Sequence, residues 1–191
     1  MIEFPLDSLQ REDYFSTPDY PSELLTPSGP IMLGDRVVEV SIVQKKTPVT
    51  QAHLDAFARF LNDYAKMELP FAVAIKARYV DDEGYLIEWL EEELEPSYWS
   101  ALFPGCKSAA EVSADQYFKA LTLVSISFHP EPAPDDEEIV ADYRFCIPES
   151  KLLPDNSTNF QRYLDWCDLT DQVHAVKAML NGHLLGVDLE S

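Results

Sequence analysis

The chain has 191 residues, enough for one domain with a real core, and its 46% hydrophobic content supports a globular fold. Against 34 acids stand only 14 Lys and Arg, a net charge of −20. Such a surface repels nucleic acid and anionic membrane, and it favours a basic partner or simply high solubility. Cys106, Cys146 and Cys167 are far apart and odd in number, with no CxxC pair and no zinc spacing. Reduced thiols fit best. The N-terminus lacks the basic and apolar regions of a signal peptide, and no apolar run reaches membrane-spanning length. These features predict a cytoplasmic protein.

Residues 1–35 carry Pro5, Pro18, Pro21, Pro27 and Pro30, which argue against long regular elements. Phe4, Leu6, Leu9, Tyr14, Phe15 and Tyr20 make the stretch too apolar for a free tail. An arm packed on the body is expected, with at most a short strand or turn. Val37–Gln44 is β-branched and reads as a strand. Thr50 then caps a helix whose Leu54, Phe57, Ala58, Leu61, Tyr64 and Ala65 form one apolar stripe. Gln51, Asp55, Arg59, Asn62, Asp63 and Lys66 fall on its wet side.

Leu69–Val80 is apolar nearly all round and predicts a buried helix, with Pro70 in its first turn. Asp81-Asp82-Glu83-Gly84 breaks it. Tyr85–Glu95 is helical again, and Tyr98–Phe103 is a further short turn. Ser113-Ala-Asp-Gln116 fits a capping box that opens a helix to about Lys119. Leu121–His129 alternates as a strand: Leu121, Leu123, Ser125, Ser127 and His129 on one face, Thr122, Val124, Ile126 and Phe128 on the other. After an acidic, proline-rich loop, Ile139–Ile147 is its hairpin partner. Asn156–Cys167 fits a short helix. Val173–Leu180 and His183–Leu189 flank Asn181-Gly182, the favoured pair for a two-residue type I′ turn, although 172–180 also scores as helix. Together these elements predict a single α+β domain, an antiparallel sheet with helices packed mainly on one face.

Catalytic signatures are missing. No HExxH, nucleophile motif, GxGxxG or P-loop occurs, and His53, His129, His174 and His183 are scattered. The expectation is therefore no catalytic residue, no metal and no cofactor. Two acidic stretches remain. Asp81–Glu95 holds eight acids and no base, interleaved with aromatics. Glu88, Trp89, Glu91, Glu92, Glu95 and Trp99 are its candidate partner-binding residues, since aromatic anchors ringed by charge suit an interface. Asp135, Asp136, Glu137 and Glu138 form the second candidate patch; calcium is disfavoured because the EF-hand ligand order around a central Gly is missing. A solvated helix face and core packing of the tryptophans explain the same residues without a partner.

Thr47-Pro-Val-Thr50, then Leu54-Asp-Ala-Phe57-Ala-Arg-Phe60-Leu61-Asn62, the Ala-rich helix leading to Tyr79, the Asp142-Tyr143-Arg-Phe145 strand and the Asn181-Gly182 hairpin form a pattern. The pattern, over about residues 31–90 and 120–191, resembles a group of small acidic bacterial proteins of unknown function. Members are often encoded beside polymorphic toxins and are regarded as immunity proteins. The resemblance implies a basic protein partner, a toxin enzyme, occluded without chemistry; it supplies no site residues. An enzyme with an unrecognised site and a regulatory adaptor are the alternatives.

Overall fold

The computed structural model describes residues 1–13, 22–45, 47–82, 85–93, 96–130, 137–146 and 173–190. It is α+β. Strands β1 (Gln10–Asp13), β2 (Glu23–Thr26), β3 (Ile31–Leu33), β4 (Arg36–Gln44), β5 (Leu121–Phe128), β6 (Ile139–Phe145), β7 (Val173–Ala178) and β8 (Leu184–Glu190) form one sheet. Its order is β1-β2-β4-β5-β6-β7-β8, with β3 paired to the start of β4. Every pairing is antiparallel except β4–β5, which is parallel. That exception follows from connectivity. Helices α1 (Gln51–Asn62), α2 (Glu68–Asp81), α3 (Tyr85–Glu93), α4 (Pro96–Leu102) and α5 (Ala114–Ala120) intervene between β4 and β5. A long helical crossover can return the chain in the same direction, which a hairpin cannot.

The arm contributes more than the single short strand expected of it: β1, β2 and β3 all come from residues 1–35. Its first residues dock on α1. Gln51 donates to the Phe4 carbonyl at 3.0 Å and accepts from Leu6 N–H at 3.1 Å. Asn62 likewise accepts from Ile2 N–H at 2.9 Å and donates to its carbonyl at 3.0 Å. Two residues of the helix's wet side thus hold backbone rather than water.

All five helices share one core with one face of the sheet. Leu54, Phe57 and Leu61 of α1, Phe71 and Ile75 of α2, Ile87 and Leu90 of α3 and Tyr117 of α5 meet Val38, Ile42, Ile126, Phe128, Ile139 and Phe145 there. Thr50 caps α1 as expected, and the His53 side chain completes the box by accepting from Thr50 N–H at 3.3 Å. Ser113 and Gln116 form the expected box at α5. The all-round apolar pattern of α2 misleads on one side: Leu69, Val73 and Val80 are exposed.

Two local irregularities alter the expected strands. A β-bulge between Leu123 and Ser125 breaks the alternation of β5. Leu121 and Leu123 therefore share the core with Ile126 and Phe128, while Ser125 and Ser127 stay outside it. The C-terminal hairpin forms as expected, but its loop has three residues rather than two. Gly182 N–H donates to the Met179 carbonyl at 2.8 Å, and Met179 N–H donates to the His183 carbonyl at 2.8 Å. Leu180-Asn181-Gly182 is thus a tight turn closed by Gly182 at φ 85°, the three-residue alternative to type I′. A Cβ on Gly182 would also lie 2.9 Å from Met67 Sδ. Gly182→Val is expected to lower stability by about 1–3 kcal/mol, because a β-branched residue meets both the left-handed backbone and Met67. A urea midpoint equal to wild type would show that the turn does not need glycine.

Candidate partner-binding surface

The acids of α3 do not all face a partner. Glu88, Glu91 and Glu92 are all exposed. Glu91 reaches across to accept from Ala109 N–H at 2.6 Å. Ala109–Glu111 is a short 3-10 turn whose N-cap residue, Ser108, makes no side-chain cap bond. Glu91 fills that role, because free N–H groups at a helical start favour a carboxylate.

Trp99 is corrected as well. It is buried at 8% exposure, its Nε1 donates to the Cys106 carbonyl at 3.0 Å, and it packs on Phe103 at 4.8 Å. An indole in the core with its N–H satisfied is no interface anchor. The side chain of Trp89, and Glu95, Asp135 and Asp136 altogether, lie outside the described residues, as does 156–167.

The second patch is partly structural too. Glu138 accepts from Leu180 N–H at 2.8 Å, and its carbonyl accepts from His129 N–H at 2.8 Å. It joins the β5–β6 connection to the β7–β8 turn. Glu137 faces Lys177 at 3.8 Å, and Lys177 also meets Asp188 at 2.8 Å. Three of the four histidines are likewise engaged: His53 caps α1, His129 Nε2 lies 3.4 Å from Ser127 Oγ, and His174 is buried against Tyr117; His183 is exposed.

Sequence reasoning missed the face of the sheet that turns away from the helices. Register places Glu39 of β4 beside Ser125 of β5, Ser125 beside Asp142 of β6, and Asp142 beside Ala175 of β7. Ala175 in turn pairs with Asp188 of β8. The row is thus acid, serine, acid, alanine, acid. Ser125 Oγ donates to Asp142 Oδ2 at 2.6 Å. In a Ser-His-Asp triad a histidine stands between the serine and the acid; here Asp142 holds the serine directly. Glu39 receives no hydrogen bond or ion pair among the described residues. Burial raises its pKa, and nearby Arg144 opposes that rise.

Glu39 opens onto a groove of about 540 Å³. The arm supplies one wall, with Gln10 and Glu12 of β1, Leu24 and Thr26 of β2, and Pro27–Pro30 of the following turn. Glu39, Val40, Ser41 and Ser125 form the floor. The alternation of β4 and β5 that could have revealed this face was obscured, because the bulge shifts which β5 residues lie beside Glu39.

A smaller cavity of about 180 Å³ sits where Arg36 pairs with Glu68. Tyr64 lines it, and the Tyr64 and Tyr143 hydroxyls share a hydrogen bond of 2.6 Å beneath. Burial pushes the Tyr143 pKa up to about 12, with the Tyr64 hydrogen bond acting against it, and burial raises Tyr64 further. Neither phenol ionises at neutral pH. The Arg36 charge is already balanced by Glu68, so this cavity offers little to a charged ligand.

Cys146 is disulfide-bonded, whereas Cys106 is a free thiol. The partner of Cys146 lies outside the described residues. This corrects the reading of reduced thiols and removes the cysteine argument for a reducing compartment. Among the described residues no three His, Cys, Asp or Glu are grouped to hold a metal ion, and no helix is long and apolar enough to cross a membrane. No family model matches the chain, and neither does any curated protein or any solved structure.

Proposed function

We propose that this chain is a non-enzymatic binding protein of the immunity type, which neutralises a cognate bacterial toxin by covering a basic surface. The observation that carries this reading is the placement of charge. The protein bears a net −20. Helix α3 presents Glu88 and Glu92 to solvent and has no base between Tyr85 and Glu93. A cleft built to hold an anionic substrate is basic, and an acidic protein can occupy it without doing chemistry. Its charge also steers the encounter, raising the association rate at low salt.

The test begins with capture of the partner from the native host at low salt, followed by assay of the captured protein with and without this chain. A basic enzyme that the chain silences fits the reading. An enzyme left unaffected or stimulated supports an adaptor instead. With that partner in hand, Glu88→Gln combined with Glu92→Gln is expected to leave stability unchanged and to slow association by about tenfold at low salt. Glu91 is left out of the variant because its carboxylate holds Ala109. Equal rates and equal salt slopes for variant and wild type would mean that α3 is only a solvated face.

A further inference from the structure

We infer that the groove between the arm and the open face of the sheet receives an extended segment of a protein partner, with an arginine or lysine side chain set against Glu39. This inference rests on the binding-protein reading and names where the contact is made. Three features point to a cation on an aliphatic stem. Leu24, Pro27 and Pro30 give the groove an apolar side along which a methylene stem can lie. Glu12 and Glu39 give it negative charge, and no Lys or Arg lines it. Ser41 and Ser125 add hydroxyl oxygens to the floor, so an ammonium or guanidinium in the groove would find acceptors besides the carboxylates.

Glu39 is the member of the acidic row with no hydrogen bond or ion pair among the described residues, although Arg144 is near enough to act on its charge. Asp142 is held by Ser125 at 2.6 Å and Asp188 by Lys177 at 2.8 Å. Glu39 is exposed, so an incoming cation can reach its carboxylate, and the walls of the groove already remove part of its hydration. The raised pKa of Glu39 agrees with this position. The occupant is a protein segment rather than a free amine because the groove runs from β1 and β2 across to β5, far longer than one ammonium group. Nucleic acid and anionic lipid are excluded by the sign of the charge.

The experiment uses the full chain and a labelled octapeptide of alternating arginine and alanine, with glutamine in place of arginine as control. Binding is read by fluorescence anisotropy at low salt. Glu39→Gln is expected to weaken binding of the arginine peptide by about tenfold. Ser41→Tyr, which fills the groove without altering charge, should do the same. A control that neutralises two exposed acids away from the groove, Asp35→Asn with Asp81→Asn, removes more charge, yet should weaken binding by less than about twofold. Retained thermal unfolding of each variant keeps the comparison valid. If all three weaken binding alike and slightly, the groove inference fails while the acidic-surface reading stands. If the wild type binds neither peptide, the groove inference fails too, and capture of the native partner then decides the broader reading by itself.

Discussion

Phe57→Ala is expected to lower stability by about 3–5 kcal/mol, the largest loss from any single truncation argued here. Phe57 is fully buried. Its ring stacks on Phe128 of β5 at 4.9 Å and on Phe4 of the arm at 5.6 Å. It therefore joins three parts of the chain that are distant in sequence: the arm, α1 and the central sheet. Removing the ring leaves a cavity that α1 cannot close, because Gln51 and Asn62 pin its outer side to the backbone of the arm. The loss should include release of the first residues. Urea denaturation would give the stability change, and hydrogen exchange at Ile2 and Leu6 would report the release. A variant within 1 kcal/mol of wild type would mean that this aromatic stack is not a keystone.

Acid should destabilise the protein through His174 by about 3 kcal/mol between neutral pH and pH 4. His174 is 1% exposed. Its Nε2 lies 2.6 Å from the Tyr117 hydroxyl, and Nδ1 has no partner at hydrogen-bonding geometry. Burial lowers its pKa from the usual 6.5 to about 4, and the Tyr143 backbone opposes the shift only in part. The unfolded chain takes up a proton near 6.5, whereas the native protein does not until about 4. Between those values the unfolded state binds more protons, so stability falls as the pH falls. The contribution is complete above the unfolded value and gone below the native one. Unfolding midpoints at several pH values for wild type and for His174→Leu would isolate it from the carboxylates, which titrate in both. Parallel curves for the two proteins would refute the assignment.

The α+β class, the five helices and the strands β4 to β8 were legible because each carries a local signal. The stripe of α1 repeats at helical spacing, the two capping boxes satisfy free N–H groups within four residues, and Asn181-Gly182 marks a turn whatever surrounds it. The candidate site was less legible. Charge along Asp81–Glu95 is visible in one dimension, but whether an acid meets solvent or a neighbouring N–H depends on chain elsewhere. Glu91 finds Ala109, 18 positions away, and Glu138 finds Leu180, 42 positions away. Trp99 has the letters of an interface anchor and the surroundings of a core residue.

By itself the sequence determined the net charge, the helical stripes, the turn glycine and the succession of β4, the five helices and β5 to β8, because these depend on composition and on contacts within a few residues. Only the tertiary structure decided the rest. It set the parallel pairing of β4 and β5, the bulge at Leu123–Ser125, and the three strands drawn from a proline-rich arm. It also brought Glu39, Ser125, Asp142 and Asp188 into one row across five strands. Strand register is a property of pairs of segments, and one inserted residue reverses which side chains face the core. No local pattern in a single segment contains that information.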